Sequence, residues 1–363
     1  MLKDLVNPAA CIKGTYQLGE TSQSATKELG LSKVYKLNSN ENPLGVSPLA
    51  VEAMKKAACE VNYYPDPTGV SLREKLAKRL HVEPDNIVIT EGASVALTLL
   101  AEMFLNPGDE VLEHWPIYSG YQRRMIDTRQ AVAVKVPVHE NGQPDFEKML
   151  EAITDKTRMV IICNPNNPTG VVCEAEPLFD FIRQVPDDII VLVDEAYIDF
   201  VEDETYPSAV QLIHDHENVV VVRTFSKIAG MAGARIGYAV ACKEMIWYYN
   251  NMVNFFCASG TALAGAEAFL DDDEFRTRTR REMIKGRTYI MDELRAMGYE
   301  PYPSQTNFVA CDMHVDPLKL TEQLRQKGIL IRGNLGVPRM TVGDEEANHA
   351  LIQALHEILQ GDN

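Results

Sequence analysis

The sequence predicts an α/β protein with a large domain built on a mostly parallel sheet and a small α+β domain. Three segments, residues 158–163, 189–193 and 219–222, are almost continuously apolar, and helical segments separate them along the chain. Strands that are apolar on both faces are typical of parallel sheets covered by helices on both sides. The C-terminal part instead alternates short strands with helices, which predicts the second, smaller domain.

The other elements follow from apolar periodicity and from turn residues. Ser47 is a predicted N-cap ahead of Pro48, and Ser71 is predicted to cap the next helix. Further strands are predicted at residues 86–90, 110–112, 131–138, 307–310, 329–332 and 339–342. Helices are predicted at residues 24–29, 47–59, 71–80, 95–104, 145–152, 245–290, 317–327 and 345–359. The charged stretch within 245–290 indicates a long helix that links two domains.

These elements divide the chain into three parts. We expect residues 1–45 to form an N-terminal arm and part of the small domain, and residues 46–255 to form the large domain. Residues 256–363 are expected to form the linking helix and the rest of the small domain.

Composition excludes several classes of function. A formal net charge of −17 argues against nucleic acid or an anionic membrane as the main partner. No apolar stretch is long enough to span a bilayer, and the first residues lack the apolar core of a signal peptide. The seven scattered cysteines contain no C-x-x-C pair and fit reduced thiols better than disulfides or a zinc site. We therefore expect a soluble, cytoplasmic protein.

Polar residues with chemical potential follow each of the three apolar strands. Asn167 follows the first, Asp194 the second and Lys227 the third. Ligands of open α/β sheets bind outside the carboxyl ends of the strands. These three side chains are therefore predicted to converge in one crevice.

Lys227 is the candidate nucleophile. Loss of solvation where apolar strands end favours the neutral amine, which can attack an aldehyde. Ser226 and Arg235 supply the hydroxyl and guanidinium that a phosphate monoester requires. Gly92, Ala93 and Ser94 join a strand to a helix N-terminus, which is a second anion site. Together these groups indicate pyridoxal 5′-phosphate as the cofactor, whereas Lys227 alone could be an ordinary loop lysine.

The neighbouring residues have predicted roles around the cofactor ring. Asp194 would keep the pyridine nitrogen protonated, and Asn167 and Tyr197 would donate hydrogen bonds to the ring oxygen. Tyr118 could stack on the ring, although an aromatic residue at a strand end is also a common core residue. Lys227, once released, could move the proton between the substrate and the cofactor as a general base, which favours transamination.

Two arginines in the small domain are candidate substrate ligands. Arg332 and Arg339 lie at ends of predicted strands, where either could clamp an anionic substrate group bidentately. Surface ion pairing is the alternative for each of them.

Several motifs resemble the fold-type I pyridoxal-phosphate-dependent aminotransferases, and among them most closely the histidinol-phosphate aminotransferases. The resemblance covers nearly the whole chain. Its motifs are N-S-N-E-N-P-L-G at 38–45, Y-Y-P-D at 63–66, N-P-N-N-P-T-G at 164–170, D-E-A-Y at 194–197 and S-K-I-A-G-M-A-G-A-R-I-G-Y at 226–238. The family commonly has an acidic residue where this chain has Ser94.

The resemblance implies a seven-stranded large domain, a homodimer with composite active sites, and further ligand residues. Tyr64 would reach the cofactor phosphate in the neighbouring subunit, and Tyr16, Asn307, Arg332 and Arg339 would contact the substrate. Arg339 would occupy the site that this family uses for the substrate phosphate and that most of the superfamily uses for the substrate carboxylate. The segment 333–338 is shorter than the family pattern, and it lies where the distal end of the substrate should bind.

The leading hypothesis is therefore transfer of an amino group from histidinol phosphate to 2-oxoglutarate. An aromatic amino-acid aminotransferase is the first alternative, favoured by the short segment and by aromatic residues such as Tyr16 and Tyr118. A decarboxylase acting on a phosphorylated amino acid is the second, because sister families share the cofactor motifs. A regulator tethered to a DNA-binding module is the third, but no basic helix-turn-helix precedes the domain and the charge is negative.

Overall fold

A seven-stranded sheet lies at the centre of the computed structural model, which describes residues 2–11 and 19–361. In chain order the strands are β1 (Tyr35–Lys36), β2 (Ile87–Thr90), β3 (Glu110–Trp115), β4 (Val132–Pro137), β5 (Thr157–Cys163), β6 (Ile190–Asp194), β7 (Val219–Thr224), β8 (Gly237–Ala241), β9 (Phe308–Ala310), β10 (Ile329–Leu330) and β11 (Arg339–Thr341). The central sheet has the order β2-β8-β7-β6-β5-β3-β4. Strands β3 to β7 pair in parallel, and β8 is antiparallel to both neighbours. The predicted α/β fold is confirmed.

Helices cover both faces of this sheet. The α-helices of the described residues are α1 (Leu2–Leu5), α2 (Ser22–Leu29), α3 (Pro48–Ala57), α4 (Val70–Leu80), α5 (Ala93–Phe104), α6 (Phe146–Glu151), α7 (Ala175–Gln184), α8 (Lys243–Met252), α9 (Gly260–Leu270), α10 (Asp273–Ala296), α11 (Pro317–Gln326) and α12 (Glu345–Gln360). Helices α5 and α8 pack with one set of strand residues, whereas α4 and α7 pack with the alternate set. Burial on both faces explains why β5, β6 and β7 are apolar throughout. No helix among the described residues is long and apolar enough to cross a bilayer.

Two small sheets join the chain ends. Strand β1 pairs in parallel with β10, and β9 pairs antiparallel with β11. Helices α11 and α12 pack beside them, and α12 contacts α10. The N-terminal segment therefore shares a structural unit with the C-terminal elements, while the residue boundaries given above for the domains stay a prediction.

The region 245–290 is helical as predicted and contains the long helix α10, but it is divided into three helices. Three helices, α8, α9 and α10, occupy this region, because two side chains cap new helices within it. The Ser259 hydroxyl accepts a hydrogen bond from the Ala262 N–H, and the Asp272 carboxylate accepts one from the Phe275 N–H. Ser259 and Asp272 could belong to the exposed face of a single helix by sequence, but in the structure each is the N-cap of a new helix.

The start of α4 also differs from the prediction. Ser47 caps α3 as expected, with its hydroxyl accepting from the Ala50 N–H. Ser71, however, lies inside α4, where its hydroxyl donates to Glu267. The carboxylate of Asp66 accepts the N–H groups of residues 68–70 instead. One carboxylate thus satisfies three donors that a serine cap could not reach together.

The connection between β7 and β8 carries Lys227 and packs closely on the N-terminal segment. The Asn42 side-chain amide donates to the Ile228 carbonyl at 3.0 Å. Gly230 has a φ of +69°, and a Cβ placed there would lie 1.9 Å from the Gly45 carbonyl oxygen. Only glycine fits this contact.

Replacing Gly230 with alanine should therefore destabilise the fold. We expect the free energy of unfolding to fall by about 2 to 4 kcal/mol, the sum of left-handed backbone strain and overpacking. Chemical denaturation measures this change. Gly108→Ala is the control, because Gly108 has a φ of +88° but open space around its Cβ. If the free energy of unfolding falls equally in the two variants, the contact between residue 230 and Gly45 is not tight.

Candidate active site

A cavity of about 300 Å³ opens at the carboxyl edge of the central sheet. Eleven of the predicted site residues line it, and they come from the large domain around the sheet and from the C-terminal part of the chain. They are Ala93, Ser94, Tyr118, Asn167, Asp194, Tyr197, Ser226, Lys227, Arg235, Arg332 and Arg339. Asn167, Asp194 and Lys227 therefore converge in one cavity at the strand ends, as predicted.

Lys227 presents a half-buried amine to this cavity. Its Nζ donates to the Ser39 carbonyl at 3.2 Å and lies 5.6 Å from the centre of the Tyr197 ring. Burial, together with the smaller effect of the positive charge of Arg339, lowers the pKa of Lys227 to about 8. A large fraction of the amine is therefore neutral at a mildly alkaline pH, as attack on an aldehyde requires.

Asp194 lies at the end of β6 and is only 5% exposed. Its Oδ2 accepts a hydrogen bond from the Tyr121 hydroxyl at 2.7 Å, and its Oδ1 accepts one from the Ala196 N–H at 3.0 Å. Burial raises the pKa of Asp194, while the Tyr121 hydrogen bond opposes that rise. Such a carboxylate favours a cationic donor in the cavity, as a protonated pyridine nitrogen would be.

Asn167 and Tyr197 belong to one hydrogen-bond network with Arg339. Arg339 Nη1 donates to Asn167 Oδ1 at 2.7 Å, which leaves the amide NH₂ of Asn167 as the donor toward a ligand. The Tyr197 hydroxyl accepts from Asn40 Nδ2 at 2.9 Å, so its own proton can also be donated. Both side chains can therefore donate a hydrogen bond toward a ligand in the cavity.

Arg235 and the start of α5 form an anion cradle. Gly92, with a φ of +81°, precedes the first turn of α5, whose N–H groups are directed outward. Arg235 Nη2 donates weakly to Ser94 Oγ at 3.4 Å. A Cβ at Gly92 would lie 2.6 Å from that same Nη2, so a side chain there would displace the guanidinium. Ser226 adds a hydroxyl, which accepts from Thr224 Oγ1 at 2.9 Å.

Arg332 and Arg339 are neighbours across an antiparallel pairing. The Arg332 N–H donates to the Arg339 carbonyl at 3.0 Å, and the Arg339 N–H donates back at 2.7 Å. The short segment 333–338 is the loop that joins them. Besides its bond to Asn167, Arg339 donates from Nη2 to the Asn38 carbonyl at 2.9 Å. Both guanidinium groups therefore reach the cavity from the side opposite the central sheet.

Three of the predicted site residues that the structure describes do not line the cavity. Gly92 lies behind the guanidinium of Arg235, and Asn307 is fully buried with its amide donating to the Asn40 carbonyl at 3.1 Å. Tyr64 is 83% exposed and stacks on Phe256 at 4.6 Å between ring centres. Tyr16 lies outside the described residues.

The structure also adds residues that sequence reasoning did not assign to the site. Asn38, Ser39 and Asn40 line the cavity, and their signal was the polar N-S-N-E-N run. Tyr121 and Arg124 line it as well. Tyr121 precedes a π-helical segment, Gln122–Asp127, and Arg124 lies within it. Their only sequence signal is that they follow Tyr118 by three and six residues, and the sequence does not fix the direction of the segment that carries them.

The donor set fits pyridoxal phosphate. The cavity combines an amine with a lowered pKa, a buried carboxylate, two oriented donors and an anion cradle. Each of these meets one functional group of that cofactor: the aldehyde, the pyridine nitrogen, the ring oxygen and the phosphate.

Comparisons with known proteins agree with this chemistry. A family model for aminotransferases of class I and II matches residues 32–355. The chain is 38% identical to a histidinol-phosphate aminotransferase of Moorella thermoacetica, covering 95% of this chain and 90% of the relative. It is 36% identical to one of Caldicellulosiruptor saccharolyticus, covering 95% and 97%. The crystal structure of histidinol-phosphate aminotransferase from Sinorhizobium meliloti in complex with pyridoxal-5′-phosphate is similar with a TM-score of 0.89, at 26% identity over 98% of this chain and 97% of that one.

The lowered pKa of Lys227 predicts an unusual pH dependence in the cofactor-free protein. Because only the neutral amine attacks an aldehyde, reductive alkylation of Lys227 should reach half of its maximal rate near pH 8. Peptide-resolved mass spectrometry measures this rate for each lysine. Lys148 is the control, since its ion pair with Asp145 raises its pKa. The assignment fails if Lys227 and Lys148 gain reactivity over the same pH range.

Proposed function

The chain belongs to the family of class I and II aminotransferases, and we propose that it exchanges an amino group between histidinol phosphate and 2-oxoglutarate. As an aminotransferase it takes the amino group from a donor and passes it to a 2-oxo acid. The pairing of Lys227 and Asp194 at adjacent strand ends carries the proposal of transamination with pyridoxal phosphate. The substrate proposal rests on full-length relatives that bear this name, at 34–38% identity.

The proposed chemistry assigns a task to each side chain. When bound, pyridoxal phosphate supplies an aldehyde for the amino group and a ring that withdraws electrons. Lys227 accepts and returns the proton that leaves the substrate carbon. Asp194 holds the proton on the ring nitrogen, and Asn167 and Tyr197 donate to the ring oxygen.

Anionic groups are assigned to two ends of the cavity. Arg235, Ser226 and the N-terminus of α5 hold the cofactor phosphate. Arg332 and Arg339, on the opposite side, hold the substrate phosphate or a carboxylate of the 2-oxo acid. This separation leaves two guanidinium groups for the substrate, in agreement with a doubly charged phosphate ester.

The cavity walls favour one alternative substrate class. Tyr118, Tyr121 and Tyr197 line the cavity, and the loop 333–338 is short, so the side chain of an aromatic amino acid is the second candidate. Stacking between the substrate ring and these tyrosines would then contribute part of the binding free energy that ion pairs with the arginines contribute for a phosphate.

We also propose a homodimer in which Tyr64 completes the site of the partner. Tyr64 belongs to an exposed aromatic and aliphatic patch that includes Val61, Tyr63 and Phe255. Patches of this kind on a globular protein mark interaction surfaces.

A cytoplasmic location is also proposed, because all seven cysteines are free thiols, as reducing compartments keep them.

The substrate is tested by single-turnover absorbance. We expect histidinol phosphate to convert the lysine-bound cofactor to its amine form at a concentration at least tenfold lower than phenylalanine, because two guanidinium groups bind the phosphate; that factor corresponds to about 1.4 kcal/mol. Glutamate, the amino donor of the reverse reaction, should also convert the lysine-bound cofactor to its amine form, and 2-oxoglutarate should return the amine form to the lysine-bound form. Preference for phenylalanine would support the aromatic alternative, and release of carbon dioxide would contradict transamination. Lys227→Ala, which lacks the nucleophile, should give no lysine-bound absorbance.

Composite sites predict complementation between two inactive variants. Tyr64→Ala removes the group given to the partner, and Lys227→Ala removes the nucleophile of the same chain. After mixing and subunit exchange, half of the dimers are hybrids with one intact site each, so activity should recover to about a quarter of the wild-type value. Assays of each variant alone give the baseline. If the mixture stays at that baseline although exchange has occurred, Tyr64 does not act in trans.

A further inference from the structure

Tyr121 is a fully buried tyrosine whose hydroxyl reaches the carboxylate at the end of β6. It follows β3 by a short turn, and its oxygen lies 2.7 Å from Asp194 Oδ2. Its ring packs edge-to-face on Tyr118, with 5.3 Å between centres. The same residue therefore contacts both the candidate stacking ring and the candidate partner of the pyridine nitrogen.

The direction of this hydrogen bond is fixed by its surroundings. Burial and the neighbouring Asp194 charge raise the pKa of the Tyr121 phenol well above its usual value, so the hydroxyl keeps its proton and donates it. Asp194 Oδ1 is already used by the Ala196 N–H. The two donors thus fix the plane of the carboxylate, and they leave remaining lone pairs for one cationic donor in the cavity.

The groups around Asp194 would otherwise favour its neutral form. Burial and the adjacent Glu195 both raise its pKa, whereas Lys227 lowers it from across the cavity. Lys227 loses its charge when its amine becomes neutral. The Tyr121 hydroxyl is an uncharged donor and does not lose its proton when Lys227 becomes neutral, and hydrogen bonds to a charged acceptor are the strong ones.

We propose that Tyr121 is a positioning residue that keeps Asp194 ionised, so that the proton between this carboxylate and the cofactor ring stays on the ring nitrogen. The inference rests on the proposed binding of pyridoxal phosphate. A proton shared by a carboxylate and a pyridine moves toward the oxygen when the carboxylate is less stabilised. Loss of the Tyr121 donor would therefore weaken the ring as an electron acceptor without removing Asp194.

The test compares Tyr121→Phe with Tyr249→Phe. Tyr249 is also fully buried in the same core cluster, and its hydroxyl donates to the Ala96 carbonyl at 3.1 Å, so its variant loses a similar hydrogen bond away from the cavity. Both variants are loaded with pyridoxal phosphate that carries an isotopically labelled ring nitrogen. The chemical shift of that nitrogen reports directly whether it carries a proton.

We expect the nitrogen signal of Tyr121→Phe to move toward the unprotonated position, and the signal of Tyr249→Phe to stay at the wild-type position. The kcat of Tyr121→Phe should fall roughly 10- to 100-fold, as loss of a hydrogen bond to a charged group predicts. In an Asp194→Asn background, Tyr121→Phe should cause no further loss of kcat, because Tyr121 acts through the Asp194 charge. A ring nitrogen that stays fully protonated in Tyr121→Phe would overturn the inference. So would a drop in kcat on adding Tyr121→Phe to Asp194→Asn that is as large as the drop in the wild-type background.

Two controls keep the result decisive. Wild-type protein that fails to bind the labelled cofactor through Lys227 would refute the proposed function, and the inference with it, whereas a normal wild-type signal isolates the role of Tyr121. If Tyr121→Phe unfolds, fluorotyrosine at position 121 keeps the packing and makes the phenol a stronger donor. The pH at which the ring nitrogen loses its proton should then rise, and an unchanged value would overturn the inference.

Discussion

The site depends on the desolvation of two opposite charges at the ends of adjacent strands. Asp194 and Lys227 stand where β6 and β7 leave the apolar core, so burial disfavours the charged form of each. Left without partners they would neutralise one another or destabilise the fold. Fixed donors and neighbouring cations hold each in a reactive form, and this requirement explains why tyrosine, asparagine and arginine side chains surround them.

Arg339 connects three separate parts of the chain at this point. It lies on β11, and its guanidinium donates to Asn167 after β5 and to the Asn38 carbonyl after β1. Its charge also lowers the pKa of Lys227. A change at the substrate end of the cavity is therefore felt by the nucleophile and by the ring donors at once. If Arg339 binds the substrate as proposed, substrate binding and the pKa of Lys227 are coupled through this one side chain.

Sequence reasoning located those parts of the site that strand order determines. Asn167, Asp194 and Lys227 could be predicted together, because parallel strands end at one edge. The contact of Tyr121 with Asp194 depends on the path of a turn, and the division of 245–290 depends on whether Ser259 and Asp272 cap helices. A polar residue in a cap and a polar residue on the exposed face of a helix look the same in the sequence. The pattern of polar and apolar residues alone therefore cannot locate these helix starts. The predicted cap at Ser71 is wrong for a related reason: Asp66 accepts the N–H groups of Gly69 and Val70, so that α4 begins before Ser71.

The hairpin formed by β7 and β8 carries the nucleophile and the cationic end of the phosphate cradle on a single connection. Lys227 and Arg235 are thus anchored at both ends by the central sheet, whereas Arg332 and Arg339 sit on the separate two-stranded sheet and its adjoining loop. The proposed substrate arginines and the proposed attachment lysine therefore lie in different stretches of the chain, around 329–341 and around 227–235. A different amino donor could be accommodated by changes around 329–341 that retain Arg339, because the charge of this residue also lowers the pKa of Lys227.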